Sequence, residues 1–146
     1  MKHVKKSVLL WYSPAEMYAL VTDVARYPEF LPWCNEALVL EQRDDGITAR
    51  VGMSISGIRQ AFTTRNTHVA NEQVHMELVD GPFSHLDGLW RFLPLSKPQA
   101  CKVEFEMHYA FSSRMLELVV SPAFDQIANT LVDRFVKRAE AVYGAR

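Results

Sequence analysis

The chain has no excess of basic charge: 16 Lys and Arg stand against 17 Asp and Glu, a formal net charge of −1. A general nucleic-acid binder gains affinity by neutralising phosphates, so this balance argues against DNA as a partner and leaves room only for a local basic face. Cysteine is scarce. Cys34 and Cys101 lie far apart and form no CxxC pair, which argues against a disulfide framework or a cysteine-rich zinc site. No apolar run approaches the roughly 20 residues of a membrane span. The short run Val8 to Trp11, behind the basic start Lys2-His3-Val4-Lys5-Lys6, is too brief for a secretory core, and Ser13-Pro14 interrupts it. A cytoplasmic location is expected.

Catalytic signatures are equally thin. The five histidines (His3, His68, His75, His85, His108) show no HExxH-like spacing, so no metal site is expected. Gly52-Met53-Ser54-Ile55-Ser56 resembles a nucleophile elbow but lacks the second glycine and lies inside a strand pattern. His85 and Asp87, after the Gly81-Pro82-Phe83 loop, are the candidate acid–base groups of an enzyme. A pocket-rim or structural role for His85 is the simpler reading, because no activated acid–base pair is visible. No catalytic residue is expected, and no cofactor is required.

What the sequence does contain is patterned hydrophobicity. Residues 3 to 11 read as a strand; Ser13, Pro14 and Glu16 then form a helix start with a capping box. Met17, Leu20, Val21 and Val24 share one face of that helix, and Pro28 and Pro32 break the chain into a short turn and loop. From Asn35 the period is two. Turns at Asp44-Asp45-Gly46, Gly57, Asn71-Glu72 and Asp80-Gly81-Pro82 divide successive strands. The last strand is the cleanest: Cys101, Val103, Phe105, Met107, Tyr109 and Phe111 alternate with Lys102, Glu104, Glu106 and His108. From Ser112 a long helix carries Leu116, Val120, Phe124, Ile127, Leu131, Phe135 and Val142 as its apolar stripe. Asp125, Asn129, Asp133 and Lys137 mark its other face, and Pro122 is expected to bend or interrupt it. The order predicts a single α+β domain over residues 1–146. Its architecture is the helix-grip: a curved antiparallel sheet of six to seven strands around a long C-terminal helix, with short helices after the first strand.

Three apolar groups converge in that arrangement. Tyr27, Phe30, Leu31 and Trp33 come from the broken segment, Phe83, Leu86, Trp90 and Phe92 from the late loop and strand, and Leu116, Val120 and Phe124 from the start of the long helix. Each alone reads as ordinary core. Together they predict the walls of an apolar pocket, because a curved sheet and one helix seldom fill their interior. On the other side of the sheet, Arg50, Arg59 and Arg65 share an outward face. That face reads either as solvated surface or as a contact for RNA or an acidic partner.

The run Leu20-Val21-Thr22-Asp23-Val24-Ala25-Arg26-Tyr27-Pro28-Glu29-Phe30-Leu31-Pro32-Trp33-Cys34 resembles the opening signature of one family. This family groups the bacterial ribosome association toxins with the mitochondrial coenzyme Q-binding proteins, within the START-like polyketide cyclase/dehydrase superfamily. Gly57-Ile58, Phe62-Thr63-Thr64-Arg65, Gly81-Pro82-Phe83 with Leu86 and Gly88, Trp90-Arg91-Phe92, Pro94-Leu95, Cys101, and Phe135 with Arg138-Ala139 extend the likeness along nearly the whole chain. Ser84 departs from it, standing where many relatives carry a basic residue. The resemblance implies a helix-grip fold whose cavity holds ubiquinone, another isoprenoid quinone or a related lipid, in support of respiration. For the bacterial branch it implies binding to the large ribosomal subunit and interference with subunit joining, in toxin–antitoxin pairing. Transient contact with a membrane surface is a further expectation. A cyclase/dehydrase activity is the third reading, inherited by fold alone.

Overall fold

A computed structural model describes residues 1–55 and 57–146. The chain runs β1 (Lys2–Leu10), α1 (Pro14–Thr22), a 3₁₀ segment (Val24–Glu29), β2 (Cys34–Arg43), β3 (Gly46–Ile55), β4 (Ile58–Val69), β5 (Gln73–Asp80), β6 (Phe83–Pro94), β7 (Cys101–Phe111) and α2 (Arg114–Tyr143). The seven strands form one antiparallel sheet in the order β1-β7-β6-β5-β4-β3-β2. Strands β2 to β7 are therefore a meander, and β1 closes the far edge against β7. The expected helix-grip architecture is the one observed, with the element boundaries largely where the turn residues placed them. Ser56, the last residue of the elbow-like pentapeptide, lies outside the described residues; Ser54 lies within β3, on its exposed side.

The short helix starts as its residues dictate. Ser13 Oγ accepts from the Glu16 backbone N–H at 3.1 Å, and the Glu16 carboxylate accepts from the Ser13 N–H at 2.9 Å, a reciprocal capping box. Arg146 grips the same carboxylate at 2.7 and 2.9 Å. That tie is the main reason the Glu16 carboxyl is held below its usual range. Met17 and Val21 are buried, and Leu20 is only half-buried.

Along β7 the alternation holds throughout: Cys101, Val103, Phe105, Met107 and Tyr109 are buried, and the residues between them face outward. On β6 a register shift between Phe83 and His85 turns both Phe83 and Leu86 inward, although an odd number of steps separates them. Gly81, at φ 143°, makes the preceding turn possible, because a Cβ there would fall 2.6 Å from Phe62 Cβ.

Four expectations need correction. In β2 the two-residue alternation does not translate into burial: past Ala37, Leu38, Val39 and Leu40 are 47%, 38% and 55% exposed. β2 is the edge of the sheet, and bulges at Cys34/Glu36 and Val39/Glu41 break its register. In α2 the buried line runs through Val120, Phe124, Ala128, Val132, Phe135 and Ala139, while Val142 is 49% exposed. The buried line thus passes through the small residues Ala128 and Ala139, with the bulkier Ile127 and Leu131 only partly buried beside it. Asp125 is not on the wet face: it accepts from the Tyr109 hydroxyl and pairs with Lys2 at 2.6 Å. The helix also continues through Pro122, which lies one turn after the exposed Leu118.

Candidate functional site: an apolar cavity beneath the long helix

Between the inward face of the sheet and α2 lies a cavity of about 90 Å³. Its floor is the sheet: Ala49 and Val51 of β3, Phe62, Thr64 and Asn66 of β4, Met76 of β5, Leu86, Gly88 and Trp90 of β6, and Phe105 and Met107 of β7. Its roof is α2, through Phe124, Ile127, Ala128, Leu131 and Phe135. Val24, Tyr27, Leu31 and Trp33 close one end.

Six of the eleven wall residues expected from sequence line this space: Tyr27, Leu31, Trp33, Leu86, Trp90 and Phe124. The other five do not. Phe30 packs edge-on against Tyr27 and Phe135, on the side of Arg138. Phe83 is wedged between Phe62, Phe111 and Phe124. Phe92 lies against Tyr18 and Trp90 as solid core. Leu116 and Val120 precede the cavity along α2, whose roof begins at Phe124. The space is thus displaced one to three turns along the helix and toward β3 and β4. The apolar stripe already contained the missed roof residues Ile127, Leu131 and Phe135. The alternation of β3 and β7 likewise held Ala49, Val51, Phe105 and Met107.

A void of this size is costly to keep. At about 24 cal/mol per Å³ of cavity, leaving it unfilled forgoes roughly 2 kcal/mol. Small residues create it: Ala49, Gly88 and Ala128 sit where larger side chains would close the gap. A cavity of about 150 Å³ takes one benzene, so this one must widen to receive a substituted ring. Met76 and Met107 provide unbranched, adaptable walls; the Met76 methyl already occupies the space that a Cβ on Gly88 would take, 2.6 Å away.

The lining is apolar but not uniformly so. Thr64 and Asn66 are buried on β4, with the Thr64 hydroxyl donating to Asn66 Oδ1 at 2.7 Å. Arg43 Nη2 donates to the Asn66 backbone carbonyl at 2.8 Å, so the strand is held while the side-chain amide remains beside the cavity. The Tyr27 hydroxyl donates to the Val21 carbonyl. Burial, with the nearby Cys34 and Asp23 adding to it, holds that phenol well above its ordinary pKa, so it stays a neutral donor. Burial also pushes the Cys101 thiol up to about 11, with the Glu16 charge adding to it. The Cys34 thiol is raised for the same leading reason, so both remain protonated near neutral pH.

The remaining candidates lie outside the cavity. His85 and Asp87 are held together at 2.6 Å on the outward face of β6, across the sheet from the cavity; His85 is therefore not at its rim. Arg50, Arg59 and Arg65 are all exposed on β3 and β4. Register separates them: Arg50 faces Thr63, Arg65 faces Thr48, and Arg59 faces Ser54. Arg50 and Arg65 are diagonal neighbours, each near an acid, Glu36 at 4.0 Å and Asp45 at 3.8 Å. Arg59 lies farther along and shares a shallow depression with Arg50.

An antiparallel sheet gripping one long helix over an apolar cavity is the helix-grip arrangement. The chain belongs to the polyketide cyclase/dehydrase and lipid transport family, whose sequence pattern matches residues 10–136. It is 45% identical over 144 residues to the ribosome association toxin RatA of Vibrio cholerae, covering 99% of both chains. It is 30% identical over 142 residues to the mitochondrial coenzyme Q-binding protein COQ10 homolog B of Xenopus laevis, covering 95% of this chain and 58% of that one. Among solved structures, a START superfamily protein from Mycobacterium smegmatis matches with a TM-score of 0.72 at 20% identity, over 92% of this chain and 97% of that one. The Zhui aromatase/cyclase from Streptomyces matches with a TM-score of 0.76 at 16% identity, over 99% of both. These two likenesses concern the fold.

Proposed function

We propose that the chain binds a hydrophobic small molecule, an isoprenoid quinone such as ubiquinone or a related lipid, in the cavity under α2 without transforming it, in support of respiration. The observation that carries this reading is the cavity itself: apolar walls kept apart by Ala49, Gly88 and Ala128, with one polar point at Thr64 and Asn66. A quinone matches that pattern, since its ring carbonyls accept hydrogen bonds and the rest of the molecule is apolar. The Asn66 amide is the donor for a carbonyl, and Trp33, Trp90 and Phe135 pack against the ring. The 30% identity to a coenzyme Q-binding protein supports the same reading.

Delivery to and from a bilayer fits the first turns of α2. Met115, Leu118 and Val119, at helical spacing, are 71%, 68% and 46% exposed, an apolar face suited to shallow contact with lipid. In vesicle flotation, Leu118→Asp should lower the bound fraction several-fold; equal flotation of the two proteins would remove the membrane step.

A second reading is binding to the large ribosomal subunit with a block on subunit joining, as in the toxin of a toxin–antitoxin pair. It is supported by the 45% identity to a ribosome association toxin and by Arg50, Arg59 and Arg65 on the outer face. The double variant Arg59→Glu/Arg65→Glu should reduce co-sedimentation with ribosomes at least tenfold. Ligand binding should be unchanged, because the two sites occupy opposite faces of the sheet. Undiminished sedimentation would remove these arginines from any such interface. Both activities operate in the cytoplasm on this reading, and one face can serve each.

A further inference from the structure

Across the sheet from the cavity, three neighbouring strands bring histidines and carboxylates together. His3 of β1 is the register partner of His108 of β7, and His108 is in turn the partner of Asp87 of β6. Glu106 precedes His108 by two residues and so shares its face. The His3 and His108 rings are stacked, with centroids 4.3 Å apart and 9° between their planes. His3 Nε2 lies 2.8 Å from Glu106 Oε1, and His108 Nε2 lies 3.8 Å from the same oxygen.

We propose that His3, Glu106 and His108 form a binding site for one divalent transition-metal ion of the zinc type. One ligand atom from each residue lies within 4.8 Å of the other two. Zinc takes nitrogen and carboxylate oxygen at about 2.0–2.2 Å, which places adjacent ligands of a tetrahedral ion about 3.3 Å apart. The nitrogen-to-oxygen distances present, 2.8 and 3.8 Å, bracket that value. The stacked rings hold their in-plane lone pairs side by side, so one imidazole must turn out of the stack for both to face a single ion, a movement that their exposure permits. Two imidazoles with one carboxylate favour zinc and its neighbours over magnesium or calcium, which prefer all-oxygen sets. The three side chains are between 37% and 47% exposed, which leaves an entry path and a fourth position for water.

The surroundings prepare the ligands. Asp87 Oδ1 lies 3.3 Å from His108 Nδ1. A proton on that nitrogen leaves Nε2, on the ligand side, with its lone pair free. Asp87 is itself fixed by His85 Nε2 at 2.6 Å. Asp87 is thus a positioning residue. Chain spacing hid the site because its ligands meet only through strand pairing.

The test is a titration of the metal-free chain with zinc chloride near neutral pH, in competition with a chromophoric chelator. One ion per chain is expected. His3→Ala, His108→Ala and Glu106→Gln should each weaken binding at least 100-fold, and Asp87→Asn by about 10- to 100-fold. His75→Ala should change nothing: that histidine pairs with Glu77 at 3.4 Å, outside the cluster. Unchanged thermal unfolding of each metal-free variant checks that the sheet is intact, as the exposure of these side chains leads one to expect. Failure to bind one ion per chain, or binding by His3→Ala and His108→Ala as tight as the parent's, overturns the proposal.

Discussion

Ala128→Leu should weaken quinone binding by roughly 50-fold while leaving the fold nearly as stable as before. Ala128 is fully buried in α2 and forms part of the cavity roof. Leucine adds three carbons to a space of about 90 Å³. Each buried methylene-sized group that the ligand can no longer place there costs about 0.8 kcal/mol. Three cost about 2.4 kcal/mol, and each 1.4 kcal/mol is a factor of ten in Kd. The effect on stability differs in kind. Filling the void recovers up to about 2 kcal/mol, offset by the roughly 1–3 kcal/mol of strain that extra bulk imposes on a packed interior. Binding falls and stability stays near its starting value. Ala49→Leu, which approaches the same space from the sheet, should behave alike. Titration of both variants, with urea unfolding in parallel, checks the pair of outcomes. Undiminished affinity in both would mean that the cavity is a packing defect and not a site.

Trp90→Ala should show the largest loss of stability of any single change in the wall, about 3–5 kcal/mol. Trp90 is 2% exposed and touches the cavity on one side only. Elsewhere it packs on Phe105, with centroids 4.5 Å apart, on Phe135 at 5.1 Å, and in parallel with Phe92 at 6.4 Å. It therefore ties β6, β7 and α2 together, and removing it enlarges the void beyond what the surroundings can close. Against a typical total of 5–15 kcal/mol, the chain should unfold at markedly lower urea with a similar slope. Trp33, half-buried at the cavity's end, should cost less when cut to alanine. A similar cost at the two positions would contradict the view of Trp90 as a shared structural wall.

The contrast between these tryptophans shows what the sequence could reveal. Period-two runs and turn residues located every strand, and the Ser13 to Glu16 box located the start of α1, because these signals are local. The alternation of β7 even predicted burial residue by residue from Cys101 to Tyr109. For the same reason β2 misled: its apolar residues alternate, but only its place at the sheet edge determines that Leu38, Val39 and Leu40 stay exposed. The cavity was legible as a property and not as a position. Aromatic residues at Tyr27, Trp33 and Trp90 were correctly grouped, yet Phe83 and Phe92 became core, because which ring meets a gap depends on the small residues opposite. Ala49, Gly88 and Ala128 define the gap, and small side chains announce nothing in a hydrophobic pattern. Asn66 was hidden similarly, as a polar residue on a strand whose inward face is fixed only by its neighbours. The His3, Glu106 and His108 cluster needed the register between β1 and β7, which no chain spacing encodes.

The cavity as a binding site is the central claim, and one comparison tests it most directly. The parent chain and Ala128→Leu are purified from the same host under identical conditions, extracted with organic solvent, and the extracts analysed by mass spectrometry. The account predicts an isoprenoid quinone or related lipid at near-stoichiometric amount with the parent, and at a small fraction of it with Ala128→Leu. Equal amounts in the two extracts, or no apolar molecule with the parent and no quenching of Trp33 and Trp90 fluorescence when ubiquinone is added, would contradict it.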